Sequence, residues 1–152
     1  MIGKTFHPHS ARMKQTTMPM SAPLQSAGKL YYLASAYTHY PEGLDKAAEH
    51  AAAIVADLLV IGIHTFSPIV HGHLVSKIGQ LDHLDLDIWY PFNETIMSRC
   101  DVLIVAHLPG WETSKGIAHE IAFFNAMKKP IFDLDPKTLS MSRRMNAKVV
   151  AG

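Results

Sequence analysis

Cysteine, clustered charge and long apolar runs are all scarce in this sequence. Cys100 is the single cysteine, so an internal disulfide is excluded and a reducing, cytoplasmic compartment is expected. The formal net charge is +1 and no run of five or more like charges occurs, which argues against a nucleic-acid polymer as partner. The longest apolar stretch, residues 51–63, contains Asp57 and is too short to span a bilayer, so no membrane partner is expected.

Residues 1–28 lack acidic side chains altogether and contain three prolines and four methionines without helical or strand periodicity. This composition predicts a disordered N-terminal arm. A basic, acid-free start also occurs in organelle transit peptides, and Met18 or Met20 could be the true start of translation. A chain of 152 residues that is 48% hydrophobic can bury one substantial core, so we expect residues 29–152 to form a single domain.

The sequence after the arm alternates between strand and helix patterns. Apolar runs predict strands at residues 29–35, 64–70, 101–108 and 129–135, and periodic apolar positions predict helices at residues 44–61, 71–79, 85–99 and 115–128. Beyond Asp135 the pattern indicates at most a terminal helix. Such alternation is typical of an α/β fold, so we expect a Rossmann-like or flavodoxin-like parallel sheet of about four or five strands flanked by helices.

Two loops are the expected ligand-binding segments, because ligands bind beyond the carboxyl ends of parallel strands. One is "ASAYTHY" (residues 34–40), which supplies Ser35 and Tyr37 as candidate substrate-binding residues. The other is "HLPGWETSKGIAHE" (residues 107–120). Neither loop contains the glycine pattern of a dinucleotide site or a P-loop, so no cofactor is expected.

Several histidines raise the question of a metal site. His71 and His73, with His64 and His83 nearby, could ligate a metal, since imidazole is a common metal ligand. No carboxylate or cysteine completes a recognisable spacing, so we expect no metal. His119 lies about 100° around its helix from Glu120 and is expected in solvent or at an interface.

The second loop leads into a helix that carries Ser114, Gly116 and Glu120. Ser114 is either the N-cap of that helix or part of an anion site at its positive end. Glu120 follows Gly116 by one turn, and helical side chains lean towards the N-terminus, so its carboxylate would point into the space that the glycine leaves. Such a carboxylate could act as a nucleophile or base, whereas the alternative is a solvated surface glutamate.

The segments "YYLASAY", "CDVLIVAHLPGW" and "SKGIAHEIAFFNAMKKPIF" resemble the nucleoside 2-deoxyribosyltransferase superfamily, which includes the 2′-deoxynucleoside 5′-phosphate N-hydrolases. The likeness spans about residues 30–133 and is closest to a small uncharacterised branch marked by "LPGW...S.GI..E..F". It implies an enzyme in which Glu120 attacks the anomeric carbon of a nucleoside and expels the base. Water or a second base then resolves the glycosyl ester, with retained configuration.

The resemblance also implies roles at three other positions. Tyr32, or its neighbour Tyr31, would orient the Glu120 carboxylate, and only one of the two can face the site because strand neighbours point to opposite sides. Ser114 matches a phosphate-binding serine of the hydrolases, where the transferases carry an aspartate. Ser35 matches a second phosphate-contacting serine. These matches favour a nucleoside 5′-monophosphate over a free nucleoside as the substrate.

One position departs from the family pattern. Asn93 stands where the family carries an aspartate that assists protonation of the departing base, and an amide has no titratable proton to give. Either Glu94 or Asp87 substitutes, or protonation of the base is weaker and the protein is slow, selective for an activated base, or inactive. The alternative function is therefore a non-catalytic nucleotide-binding module or sensor that retains the pocket. Asp101, at the other end of its strand, is expected to be a structural turn residue.

The remaining expectations concern the aromatic residues and the assembly of the chain. Trp111 could stack on a nucleobase, or it could cover the core or a subunit contact. Gly116 and Tyr37 are assigned to substrate binding. Family sites are commonly completed by a neighbouring subunit, so the resemblance implies a homodimer or higher homo-oligomer. Three aromatic residues are expected in the core or at a dimer surface: Trp89, Tyr90 and Phe92.

Overall fold

The computed structural model describes residues 28–145, so the predicted N-terminal arm, apart from Gly28, and the last seven residues lie outside the described part. Within it, five strands form one sheet: Tyr31–Ala34 (β1), Thr65–Phe66 (β2), Val102–Ala106 (β3), Ile131–Leu134 (β4) and Met141–Arg143 (β5). Four α-helices accompany the sheet in the same range: Leu44–Val60 (α1), Pro68–Gly79 (α2), Leu86–Arg99 (α3) and Lys115–Ala126 (α4).

The strand order is β2-β1-β3-β4-β5, with β1 to β4 parallel and β5 antiparallel to β4. This confirms the predicted α/β fold. The chain leaves β1 towards one edge of the sheet, and β3 then lies on the other side of β1. The carboxyl ends of β1 and β3 therefore meet where the connections diverge, which is where open α/β sheets bind ligands.

The two central strands are buried on both faces because helices cover both sides of the sheet. One face packs against α1 and carries Tyr31, Leu33, Val102 and Ile104. The other packs against α3 and α4 and carries Tyr32, Ala34, Leu103 and Val105. The alternation along β1 thus separates Tyr31 from Tyr32. Among the described helices, none is both long enough and apolar enough to cross a membrane.

The boundaries of α2 differ from the sequence-based expectation. The predicted strand at residues 64–70 ends at Phe66, and α2 begins at Pro68 rather than at residue 71. Proline suits the first turn of a helix because its fixed backbone angle is helical and its missing N–H would have no partner there. The Ser67 side chain caps the helix by accepting from the Val70 N–H at 3.2 Å.

The tail after β4 forms a strand where the sequence indicated at most a helix. Asp135 opens a turn in which its backbone N–H donates to the Ser140 carbonyl at 3.0 Å. The chain then returns as β5, and the Arg144 side chain donates two hydrogen bonds to Asp133 in β4. Because β5 is a short edge strand with mostly exposed side chains, no apolar alternation marks it in the sequence.

Candidate functional site

A cavity of about 460 Å³ lies at the carboxyl ends of β1 and β3. Its walls come from the loop after β1, from α2 and α3, and from the first turns of α4. Six residues that the sequence assigned to catalysis or substrate binding line it: Ser35, Tyr37, Asn93, Ser114, Gly116 and Glu120. The two predicted ligand loops therefore do meet at one site.

The Glu120 carboxylate is buried in the wall of this cavity. Its residue is 8% exposed, so the alternative of a solvated surface glutamate is wrong. The Tyr32 hydroxyl donates a hydrogen bond to Oε1 of Glu120 at 3.0 Å. Tyr32, and not Tyr31, faces the site, since Tyr31 packs on the opposite side of the sheet. The structure thus selects one of the two tyrosines that the sequence left open.

Ser114 and Gly116 lie at the start of α4, the helix that carries Glu120. The Ser114 hydroxyl accepts from the Ile117 N–H at 3.3 Å, which confirms the predicted N-cap. A Cβ atom placed on Gly116 would find only the Ser114 hydroxyl nearby, at 3.8 Å. Gly116 itself lines the cavity. Anion binding by Ser114 stays a prediction.

Burial changes the acidity of both members of the pair. It raises the pKa of Glu120 to about 8, and the hydrogen bond from Tyr32 acts in the opposite direction. Burial, and then the negative charge of Glu120, raises the pKa of Tyr32 well above its ordinary value. Tyr32 therefore remains the donor and Glu120 the acceptor. As the pH rises through 8, the Glu120 carboxyl changes from its neutral to its anionic form.

Two further oxygens at the cavity are buried and lack a hydrogen-bond partner within the described residues. They are the hydroxyl of Ser35, a residue that is 5% exposed, and Oδ1 of Asn93. Buried polar atoms in proteins are nearly always hydrogen-bonded. Both residues line the cavity, so rotation of either side chain would bring its polar group to a bound molecule.

The carboxylates considered as substitutes for the missing aspartate lie elsewhere. Oε1 of Glu94 is 3.0 Å from Nε2 of His119, whose ring stacks on Tyr90 at 4.2 Å. Asp87 is exposed in the first turn of α3. Neither carboxylate lines the cavity, whereas Asn93 does. His119 is thus an intramolecular contact rather than a solvated side chain.

Trp111 does not line the cavity, so the structure does not support its stacking on a nucleobase there. Its ring stacks on His107 at 3.9 Å, and the Arg144 guanidinium lies 5.5 Å from its centre. The ring packs against the core cluster that contains Tyr32. This arrangement corresponds to the alternative expectation, that Trp111 covers the core.

Aromatic residues other than Trp111 line the cavity. Trp89 and Tyr90, expected in the core or at a dimer surface, line the cavity. Phe92 stacks on His71 at 5.3 Å. Trp89 and Asn93 are four residues apart in α3, so they lie one turn apart on the same side of the helix. That spacing was the one sequence signal that could have assigned Trp89 to the site.

His73 of α2 belongs to a hydrogen-bonded chain that the sequence did not reveal. Tyr37 Oη lies 2.8 Å from Nδ1 of His73, and Nε2 of His73 lies 2.8 Å from Oδ1 of Asp45. Lys77 donates to the same Asp45 oxygen at 2.9 Å. In residues 28–145, no group of three or more histidine, cysteine or acidic side chains is arranged to hold a metal ion.

Asp101 lies at the opposite end of β3 from the cavity. Its carboxylate accepts from the Leu30 N–H at 2.9 Å, and its own N–H donates to the Leu30 carbonyl at 2.8 Å. The residue therefore joins the starts of β1 and β3, which confirms its predicted structural role.

Comparison with known proteins places the chain in a family. No curated protein matches it. A family model described as "Domain of unknown function (DUF1937)" matches residues 29–135, which contain the whole cavity and β1 to β4. Since the match covers well over half of the sequence, the chain belongs to the DUF1937 family.

Proposed function

We propose that this protein cleaves the N-glycosidic bond of a nucleoside 5′-monophosphate, passing the sugar to water or to a second base. The observation that carries the proposal is the Glu120 carboxylate, buried in a cavity wall and bonded by the Tyr32 hydroxyl at 3.0 Å. A carboxylate with one oxygen held by a fixed donor presents its other oxygen in a defined direction. That is what attack on a sugar carbon requires.

The reaction proceeds by two displacements. Glu120 forms a C–O bond to the anomeric carbon as the C–N bond breaks, and the bonding pair leaves with the base. Water or a second base then attacks the same carbon, which regenerates the carboxylate and retains the configuration. Glu120 is reactive as the anion, so its raised pKa predicts activity that increases up to and beyond pH 8.

The start of α4 suits the 5′-phosphate. Its first-turn N–H groups and the positive end of its dipole favour an anion, and Lys115 adds a positive charge to the cavity wall. Ser114 and Ser35 also line the cavity and supply hydroxyls. These groups support a monophosphate over a free nucleoside.

Other residues that line the cavity suit a nucleobase. Tyr37, Trp89 and Tyr90 offer aromatic faces, and Leu84 and Leu86 add apolar surface. The cavity volume of about 460 Å³ falls within the range usual for small-molecule sites. Asn93 can bond the edge of the base, since its amide offers both a donor and an acceptor.

The second candidate function is a nucleotide-binding module that performs no chemistry. Two observations favour it: Asn93 stands in place of the expected acid, and the raised pKa of Glu120 leaves its carboxyl largely protonated at neutral pH. In this role the same cavity would bind a nucleotide and leave it intact.

The deciding experiment measures free base by chromatography after incubation with each common nucleoside and 5′-monophosphate, at pH 7 and pH 9. The test variant is Glu120→Gln, and the matched control is Glu112→Gln, which alters an exposed glutamate outside the cavity. Base release that is lost only in Glu120→Gln supports the enzyme, and dependence on an added base identifies a transferase. Nucleotide binding without base release supports the module, and activity retained in Glu120→Gln contradicts the mechanism.

Self-association is the second part of the proposal. The outer face of α2 presents Leu74 and Ile78, which are 61% and 76% exposed and one turn apart. The adjoining segment exposes Leu81, Leu84 and Leu86, and the last two also line the cavity. An apolar patch of this kind marks an interaction surface. We infer that a second copy of the chain covers it and narrows the mouth of the cavity.

A further inference from the structure

The proposed reaction leaves one requirement unmet. The departing base carries away the bonding pair of the C–N bond and becomes a better leaving group when it is protonated. Asn93 has no titratable proton, and the carboxylates of Glu94 and Asp87 lie outside the cavity. The proton donor must therefore come from a different part of the cavity wall.

We propose that Tyr37, His73 and Asp45 form a proton relay that protonates the departing base, an inference that rests on the proposed function. The three residues come from three elements: the loop after β1, α2 and α1. Tyr37 Oη lies 2.8 Å from Nδ1 of His73, and Nε2 of His73 lies 2.8 Å from Oδ1 of Asp45. Tyr37 and His73 line the same cavity as Glu120.

The carboxylate at the end of the chain sets the direction of proton transfer. Asp45 only accepts, so the Nε2 atom of His73 carries a proton. When His73 is neutral, its Nδ1 accepts from the Tyr37 hydroxyl. When His73 is protonated, its Nδ1–H donates to Tyr37 Oη, and the hydroxyl hydrogen is free to point into the cavity. Protonated His73 therefore turns Tyr37 into a donor towards the substrate.

The groups around His73 include both signs of charge. Asp45 from α1 contacts Nε2 of His73, and Lys77, on the same helix as His73, pairs with the same carboxylate oxygen. Lys77 and then His73 lower the pKa of Asp45, so the carboxylate stays ionised. Tyr37 meets the edge of His83, 5.9 Å away between ring centres, from the segment before α3. Burial, and then Asp45, raises the pKa of Tyr37. The hydroxyl is therefore protonated before the reaction, and after giving its proton to the base it readily takes the Nδ1 proton of His73.

The step balances without another reactant. Tyr37 gives its hydroxyl proton to a ring nitrogen of the base as the C–N bond breaks, and His73 gives its Nδ1 proton to Tyr37. The products are the Glu120 glycosyl ester, the free base and neutral His73. When water hydrolyses the ester, the released proton returns to His73 through solvent.

Two substrates separate this role from a structural one. The natural deoxynucleoside 5′-monophosphate needs protonation of its base, whereas 4-nitrophenyl 2-deoxyribofuranoside 5′-phosphate releases an anion that needs no proton. We expect Tyr37→Phe to lower kcat on the natural substrate about 100-fold, the usual contribution of general acid catalysis, and on the nitrophenyl substrate only a few-fold. His73→Gln should show the same difference between the two substrates.

Tyr40→Phe is the matched control. Tyr40 makes a comparable bond to a histidine, with Oη 2.7 Å from Nδ1 of His50, but does not line the cavity. Tyr40→Phe should leave kcat on both substrates unchanged. Asp45→Asn provides a second test of the relay that does not alter the cavity wall. Thermal unfolding of each variant shows whether the fold is retained.

The outcomes distinguish the two proposals. Equal losses on both substrates in folded Tyr37→Phe and His73→Gln would overturn the relay while Glu120 chemistry stands. No base or nitrophenol release by the wild-type protein, or activity retained in Glu120→Gln, would overturn the proposed function and the relay with it.

Discussion

The Tyr32 hydroxyl bonds the Glu120 carboxylate at 3.0 Å, although the two residues are 88 positions apart in the sequence. β1 supplies the tyrosine and α4 the glutamate, so the pair forms only when α4 packs on the sheet. Both side chains are removed from water, and the carboxylate is costly to ionise there. The pair therefore links the stability of the fold to its chemistry.

Glu120→Gln is expected to stabilise the protein, and increasingly so at higher pH. Burial raises the pKa of Glu120 from 4.5 to about 8. Below pH 4.5 the folded and unfolded states are both protonated, so the wild type carries no penalty. Between pH 4.5 and 8 the folded state keeps a proton that the unfolded state has released, so the wild type loses about 1.4 kcal/mol of stability for each pH unit.

Denaturant unfolding at several pH values measures this difference. The free energies of unfolding of wild type and Glu120→Gln should nearly coincide at pH 4.5 and should differ by several kcal/mol, as an order of magnitude, at pH 9. Glu112→Gln, at an exposed position, should show no such trend. A difference that does not change with pH would contradict the raised pKa.

Tyr32→Phe is expected to move the acidic limb of the pH–rate profile to higher pH. The hydroxyl lowers the pKa of Glu120 by bonding its anionic form, so its removal raises that pKa further above 8. For a nucleophile that must be ionised, kcat/KM should fall about tenfold at pH 7 for each unit by which the limb moves, and should recover at high pH.

The control is Tyr31→Phe, which alters the neighbouring tyrosine on the opposite face of the sheet. Profiles of kcat/KM between pH 6 and pH 10 should place its limb with that of the wild type. A loss in Tyr32→Phe that is the same at every pH would mean that the hydroxyl acts by some route other than the ionisation of Glu120.

The sequence predicted those parts of the site whose residues lie close together in the chain, and missed those formed between distant elements. Ser114, Gly116 and Glu120 share one helix, so their spacing indicated a capped start and an inward carboxylate, with an anion site and a solvated glutamate as the alternatives. Tyr37 and His73 meet across two elements, and side-chain bonds between elements leave no periodic signal. Trp111 had an aromatic ring in the expected loop, but its short 3₁₀ turn places that ring on His107 and beside Arg144.

Ser114→Asp separates capping from phosphate binding. Aspartate caps a helix about as well as serine, so the free energy of unfolding should change by less than about 0.5 kcal/mol. Its negative charge would repel a 5′-phosphate at the start of α4, so KM for the monophosphate should rise about tenfold or more. Ser114→Ala should instead cost about 1 kcal/mol of stability through the lost bond to the Ile117 N–H.

Steady-state kinetics on a nucleoside and its 5′-monophosphate provide the comparison. The KM for the nucleoside should be alike in wild type and Ser114→Asp, since that substrate carries no phosphate. Equal increases in KM for both substrates would place the phosphate elsewhere in the cavity.

Ile78→Asp is expected to convert an oligomer into a monomer. Ile78 is 76% exposed on α2, in the apolar patch with Leu74, and a carboxylate placed there would have to be buried unpaired in any interface that covers the patch.

Val60→Asp is the matched control, because Val60 is 84% exposed at the end of α1 and lies outside the patch. Sedimentation velocity at micromolar concentration should show an oligomer for wild type and Val60→Asp, and a monomer for Ile78→Asp. Because Leu84 and Leu86 belong both to the exposed surface and to the cavity wall, the monomer should also bind nucleotide more weakly. A wild-type monomer would contradict self-association. An Ile78→Asp oligomer would show that the copies meet through a different face.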